Sequence, residues 1–123
     1  MKYKIDIVRI RENSITLNGW VLGKSPESRA TFRVEDERHN PVKYKLVTTR
    51  RDDVSQIYFK KTYDRDFGFD IQFPYERGKT YWLLIRCEGR QAKIKYNEEL
   101  IAKRSSVAHK RMEKIKDIAE QRE

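Results

Sequence analysis

The chain has 123 residues, enough for one domain with a modest core and an appendage, and too few for most two-domain enzymes. Charged residues, at 38%, match apolar ones at 37%, but seven tyrosines, five phenylalanines and two tryptophans exclude a disordered tail, which lacks the apolar surface that offsets ordering entropy. A net charge of +9 favours anionic neighbours such as nucleic acid, an acidic membrane face or phosphorylated ligands, while the single cysteine, Cys87, excludes an internal disulfide and fits a reducing cytoplasm.

The opening MKYKIDIVRIRE alternates charged with apolar residues where a secretory signal would be continuously apolar, and no run approaches transmembrane length. Any membrane contact is therefore expected to be peripheral, at the inner face, or borrowed from a partner. Tyr3, Ile5 and Ile7 share a face and Ile10 falls out of phase, which predicts a strand with a bulge or a change of face before a turn at Asn13-Ser14. Next, ITLNGWVLG sets Ile15, Leu17, Gly19 and Val21 on one face and Trp20 and Leu22 on the other, and Pro26 closes the strand.

Ala30, Phe32 and Val34 form the following face, and Val42, Tyr44 and Leu46 another, joined by the turn DERHNP in what reads as a hairpin. After the charged stretch TTRRDDVSQIYF, Phe67, Phe69, Ile71 and Phe73 line one face of FGFDIQF. Tyr81, Leu83, Ile85 and Cys87 alternate with Trp82 and Leu84, so that strand is apolar on both sides and reads as central; Ala92, Ile94 and Tyr96 point inward from the last one. Short strands at near-regular spacing without intervening helices predict an all-β, antiparallel sandwich of about seven strands, Ig-like or jelly-roll-like, over residues 1–97. The two tryptophans and the phenylalanine stripe are expected to fill the space between its sheets.

At Asn97 the period changes. Asn97 caps a predicted α-helix over residues 98–123, with Glu98 and Glu99 in its first turn and a narrow apolar seam at Ile101, Ala108, Met112, Ile115 and Ala119. Its charges nearly balance, so the basic surplus lies on the sandwich. A helix so charged needs its seam covered, by the sandwich, by further sequence or by a second copy, which would make it a homodimer.

Catalytic constellations are scarce. His39 and His109 lack zinc-ligand spacing with Cys87, and the scattered glycines form no phosphate loop, so no metal or cofactor is expected. Asp64-Arg65-Asp66 has the spacing of a carboxylate pair that ligates the Mg²⁺ or Mn²⁺ carrying a nucleotide diphosphate, but that motif works at a strand end in an α/β domain, and no βαβ pattern exists here. A basic sheet with aromatics suits nucleic acid, although no RNP1-type stretch is present. Trp20 and Trp82 are candidates for a sugar platform, against a plain core role. Arg50, Arg51, Asp52 and Asp53 offer either a ligand site on the two arginines or a clasp, in which an aspartate caps a helical turn, an arginine pairs with a carboxylate, and Val54 and Ile57 plug the end of the sandwich.

Three pieces, LNGWVLG, RRDDV and GFDIQF, in that order and at this spacing, resemble the N-terminal β-sandwich that precedes the catalytic domain of some bacterial family 2 glycosyltransferases of Gram-positive surface polysaccharide synthesis. The pattern there is a Gly-aromatic strand, an Arg-x-Asp-Val segment and a Gly-Phe strand start. Gly19-Trp20, Arg51-Asp52-Asp53-Val54 and Gly68-Phe69 match it. Over residues 1–97 the resemblance implies a non-catalytic accessory domain that positions a glycosyltransferase catalytic domain or its glycan, since no transferase domain follows in this chain. Asp64-Arg65-Asp66 then inherits no metal role. The rival readings are a nucleic-acid-binding β-domain and an assembly module dimerising through residues 98–123.

Overall fold

The computed structural model describes residues 1–103. In chain order the elements are β1 (Lys2–Arg11), β2 (Ser14–Leu22), β3 (Ala30–Asp36), β4 (Lys45–Thr49), α1 (Asp52–Phe59), β5 (Gly68–Pro74), β6 (Tyr81–Cys87) and β7 (Arg90–Tyr96). They form a four-stranded sheet, β1-β2-β5-β4, and a three-stranded sheet, β3-β6-β7. Every pairing is antiparallel, so the period-two alternation does define a β-sandwich.

The inter-sheet core takes Ile15, Leu17 and Val21 from β2, Phe69, Ile71 and Phe73 from β5, Leu83 and Ile85 from β6, and Ala92, Ile94 and Tyr96 from β7. Cys87 is buried among them, and burial pushes its thiol pKa up. β1 does carry a bulge, but earlier than the out-of-phase Ile10 suggests: the register shifts between Ile5 and Ile7, leaving Asp6 as the extra residue, so Ile7 does not share the face of Ile5. Ile5 and Val8 therefore pack on the core while Ile7 is exposed. Gly19, opposite Ile5, permits that approach, because a Cβ there would lie 2.1 Å from the Lys4 carbonyl oxygen.

The predicted hairpin of residues 30–46 is not one. Its start is present, as Val42 N–H donates to the Val34 carbonyl at 2.8 Å and Glu35 bridges Pro41. Pro41 brings no N–H to extend the ladder, and the chain crosses to the other sheet, where β4 pairs with β5. Tyr44 holds the crossing by donating its hydroxyl to the Phe32 carbonyl at 2.7 Å.

Neither tryptophan fills the inter-sheet space. Trp20 points to the outer face of the four-stranded sheet, where Leu22, Val54 and Phe67 form a second cluster roofed by α1. Phe67 thus leaves the stripe it was assigned to: it precedes β5, and its ring stacks at tilted and edge angles on Phe59 and Tyr63. Burial at roughly 1.5–3 kcal/mol per large apolar side chain holds a helix of eight residues that would not form alone in water. Val54 is buried on this outer face rather than at the sandwich end, and Ile57, expected as its companion plug, is 64% exposed. Ser55, fully buried, satisfies its hydroxyl on the Lys61 carbonyl at 2.6 Å.

Asn97 caps a helical turn as expected, its side-chain oxygen accepting from Leu100 N–H at 2.8 Å. Residues 98–103 are helical, and Ile101, 3% exposed, packs into the inter-sheet core. The seam positions 108, 112, 115 and 119, and the dimer expected through them, lie outside the described residues, as does His109.

Candidate functional site

The opening charged stretch resolves into two arginine clusters of different depth. Arg51 stands before α1 with φ 51 and ψ 55, a left-handed conformation that costs a non-glycine residue about 1 kcal/mol. In that conformation its carbonyl accepts from Val54 and Ser55 N–H groups at 3.1 and 3.3 Å. The side chain runs across Gly68, where a Cβ would meet Arg51 Cγ at 2.4 Å and Thr49 Oγ1 at 2.2 Å. Its guanidinium makes a bidentate pair with Asp53, 3.0 Å at both oxygens, and reaches Asp6 at 2.8 Å. The arginine therefore ties the helix start to the β1 bulge across β5 and β2.

These bonds hold the Asp53 carboxyl below its ordinary pKa, chiefly through Arg51, and raise the pKa of Arg51, chiefly through Asp53 and then Asp6. No side chain caps α1, so the expected aspartate cap is replaced by this pairing, with Asp52 and Asp53 inside the first turn. Arg50 is more exposed and bonds Asp52 and Asp64, both at 3.0 Å. Arg51, Asp53, Asp6 and Gly68 thus meet in one set of contacts, with Arg50 and Asp52 at its margin, while Val54 packs in the cluster under α1 and Phe69 belongs to the inter-sheet core. Asp6 was missed. The apolar phase gives no signal for it, since Tyr3, Ile5 and Ile7 alternate straight through Asp6.

The three motif pieces meet in one place: Trp20 pairs across strands with Gly68, Arg51 covers Gly68, and Val54 packs with Trp20. Trp20, 7% exposed beneath α1, is closed as a sugar platform. Trp82 stands on the outer face of the three-stranded sheet, partly buried, with the Lys93 and Lys95 ammonium groups 4.6 and 5.6 Å from its ring centroid.

A cleft of about 390 Å³ opens between the sheets at the β3 and β4 edges. Val21, Phe32, Phe67 and Phe69 form its apolar wall, with Phe32 and Phe69 rings 4.9 Å apart, and Ser28, Arg29, Thr48, Asp64, Arg65 and Asp66 form its rim. The Asp-Arg-Asp motif is therefore on this rim, each member with its own partner: Asp64 with Arg50, Asp66 with the Thr48 hydroxyl at 2.7 Å, and Arg65 with the Pro26 carbonyl at 2.8 Å. Among the described residues no three His, Cys, Asp or Glu side chains are grouped to hold a metal, and no helix is long and apolar enough to cross a membrane. His39 lies at the surface near Glu35, 3.4 Å away.

No family model and no curated protein matches the chain. Among solved structures, a crystal structure of a DUF4426 family protein from Pseudomonas aeruginosa PAO1 is similar over 70% of this chain and 72% of its own, at 12% identity and a TM-score of 0.38.

Proposed function

We propose that the chain is a non-catalytic module that holds a glycan at the open side of its sandwich, as an accessory domain to a bacterial glycosyltransferase of cell-surface polysaccharide synthesis. The cleft between β3 and β4 carries this reading. Phe32, the partly exposed aromatic of its wall, suits the apolar face of a sugar ring, and its rim supplies carboxylate, hydroxyl and guanidinium groups matched to sugar hydroxyls. The carboxylates near it are engaged by Arg50 and Thr48, an arrangement suited to orienting a ligand rather than to proton transfer. The clasp of Arg51, Gly68 and Trp20 supports the resemblance as one of scaffold, with the ligand contact placed beside it.

Titration with a panel of neutral and phosphate-bearing oligosaccharides, followed by amide shifts in NMR spectra, tests the reading. Shifts centred on Thr48, Asp66 and Phe69, weakened in Asp66→Ala and Arg29→Ala, are expected. Shifts elsewhere only, or sugar transfer from a nucleotide-sugar donor by this polypeptide, would overturn it.

A further inference from the structure

We propose that the outer face of the three-stranded sheet is an electrostatic docking surface for an anionic lipid bilayer. Strand register lays its outward side chains in three rows: Thr31, Arg86 and Gln91; Arg33, Leu84 and Lys93; Glu35, Trp82 and Lys95. Four of these are cations and one is a carboxylate. Glu35 is engaged by Arg33 at 2.6 Å, and among the described residues Arg86, Lys93 and Lys95 have no carboxylate in ion-pair reach.

The arrangement selects the ligand class. Arg33 turns to Glu35 and Arg86 to Gln91, also at 2.6 Å, so the cations do not converge on one point as a single phosphate would require. They are spread over a sheet face, which suits a spread array of phosphates. A single-stranded nucleic acid would use the aromatic ring for base stacking, and Lys93 and Lys95 cover that ring. An anionic membrane needs only the charge, worth about fivefold in affinity for each cation near the surface. This surface is separate from the β3–β4 cleft, and its failure would leave the glycan reading intact.

Flotation of the full chain with vesicles of phosphatidylcholine alone, and of phosphatidylcholine and phosphatidylglycerol in equal parts, tests the inference. Binding to the anionic vesicles only, lost at high salt, is expected. K93Q/K95Q should weaken it about 30-fold. K93R/K95R, which preserves charge, should retain it and shows that loss in the glutamine variant is not misfolding. K60Q/K61Q should also retain it, because those lysines follow α1 on the other sheet, beyond a Debye length of about 8 Å across layers about 10 Å apart. Equal binding to both vesicles, equal loss in K60Q/K61Q, or binding to polyuridylate but to neither vesicle would overturn the proposal.

Discussion

The two outer faces of the sandwich use the same residue types in opposite ways. On the four-stranded sheet, Trp20 lies under α1 and the neighbouring arginines are closed by Asp6, Asp52, Asp53 and Asp64. On the three-stranded sheet, among the described residues, Trp82 has only side chains above it and the lysines that cover it have no acid partner. A tryptophan or an arginine therefore has no fixed role in this fold. Its role follows from whether a connection packs over its face of the sheet, as the β4–β5 connection that carries α1 does over Trp20.

The largest effect should separate the two tryptophans. Trp20→Ala removes the centre of the second cluster and is expected to cost about 3–5 kcal/mol, the range for a buried aromatic, and to release α1. Trp82→Ala should cost far less, because its ring meets flexible lysine stems instead of a packed roof. Urea denaturation of both variants gives the comparison directly, and equal losses would show that the open face is as structural as the covered one.

A smaller effect is expected within the clasp. Gly68→Ala forces apart Thr49 and the Arg51 stem, at about 1–3 kcal/mol, and Arg51→Ala should cost about 1–2 kcal/mol. Because both substitutions disturb one contact, the double variant should lose less than the sum, with a coupling above about 0.5 kcal/mol. Arg50→Ala, whose partners are exposed, should leave the melt unmoved. The pH dependence has a defined sign. Asp53 has a folded-state pKa below its unfolded value of about 3.9, so its contribution is present above that value and is lost as pH falls through the folded one. Arg51→Ala removes the cause, and its stability should fall less steeply in acid than that of the wild type.

What was legible in the sequence is what depends on neighbours along the chain. The alternation in ITLNGWVLG gave both faces of β2, and Asn97 marked the start of its helical turn, because each is decided within a few residues. The roof over Trp20 was not legible: α1 shows an apolar side, but which sheet it covers depends on β4 joining β5 rather than β3. Phe67 reads as one of four stripe residues, yet it precedes the strand and so escapes the alternation. The Arg51–Asp6 pair joins residues 45 apart, and nothing in spacing links them; the bulge that marks Asp6 falls inside the Tyr3, Ile5, Ile7 alternation, ahead of the out-of-phase Ile10. The cleft likewise needs two strand edges that the sequence placed in one hairpin.

The smallest expected effect bears hardest on the comparison. Removing Lys93 or Lys95 forfeits a cation–π contact of about 0.5–1 kcal/mol at an exposed site, so each alanine variant should melt almost as the wild type does, while the Trp82 indole N–H resonance shifts. Small loss of stability with large loss of vesicle binding would mean that the lysines act outward, toward an anionic partner. A loss as large as that of Arg51→Ala would mean the reverse: the lysine stems would themselves be a roof on the three-stranded sheet, and both faces of the sandwich would be closed by the same physical logic, one with a helix and one with side chains.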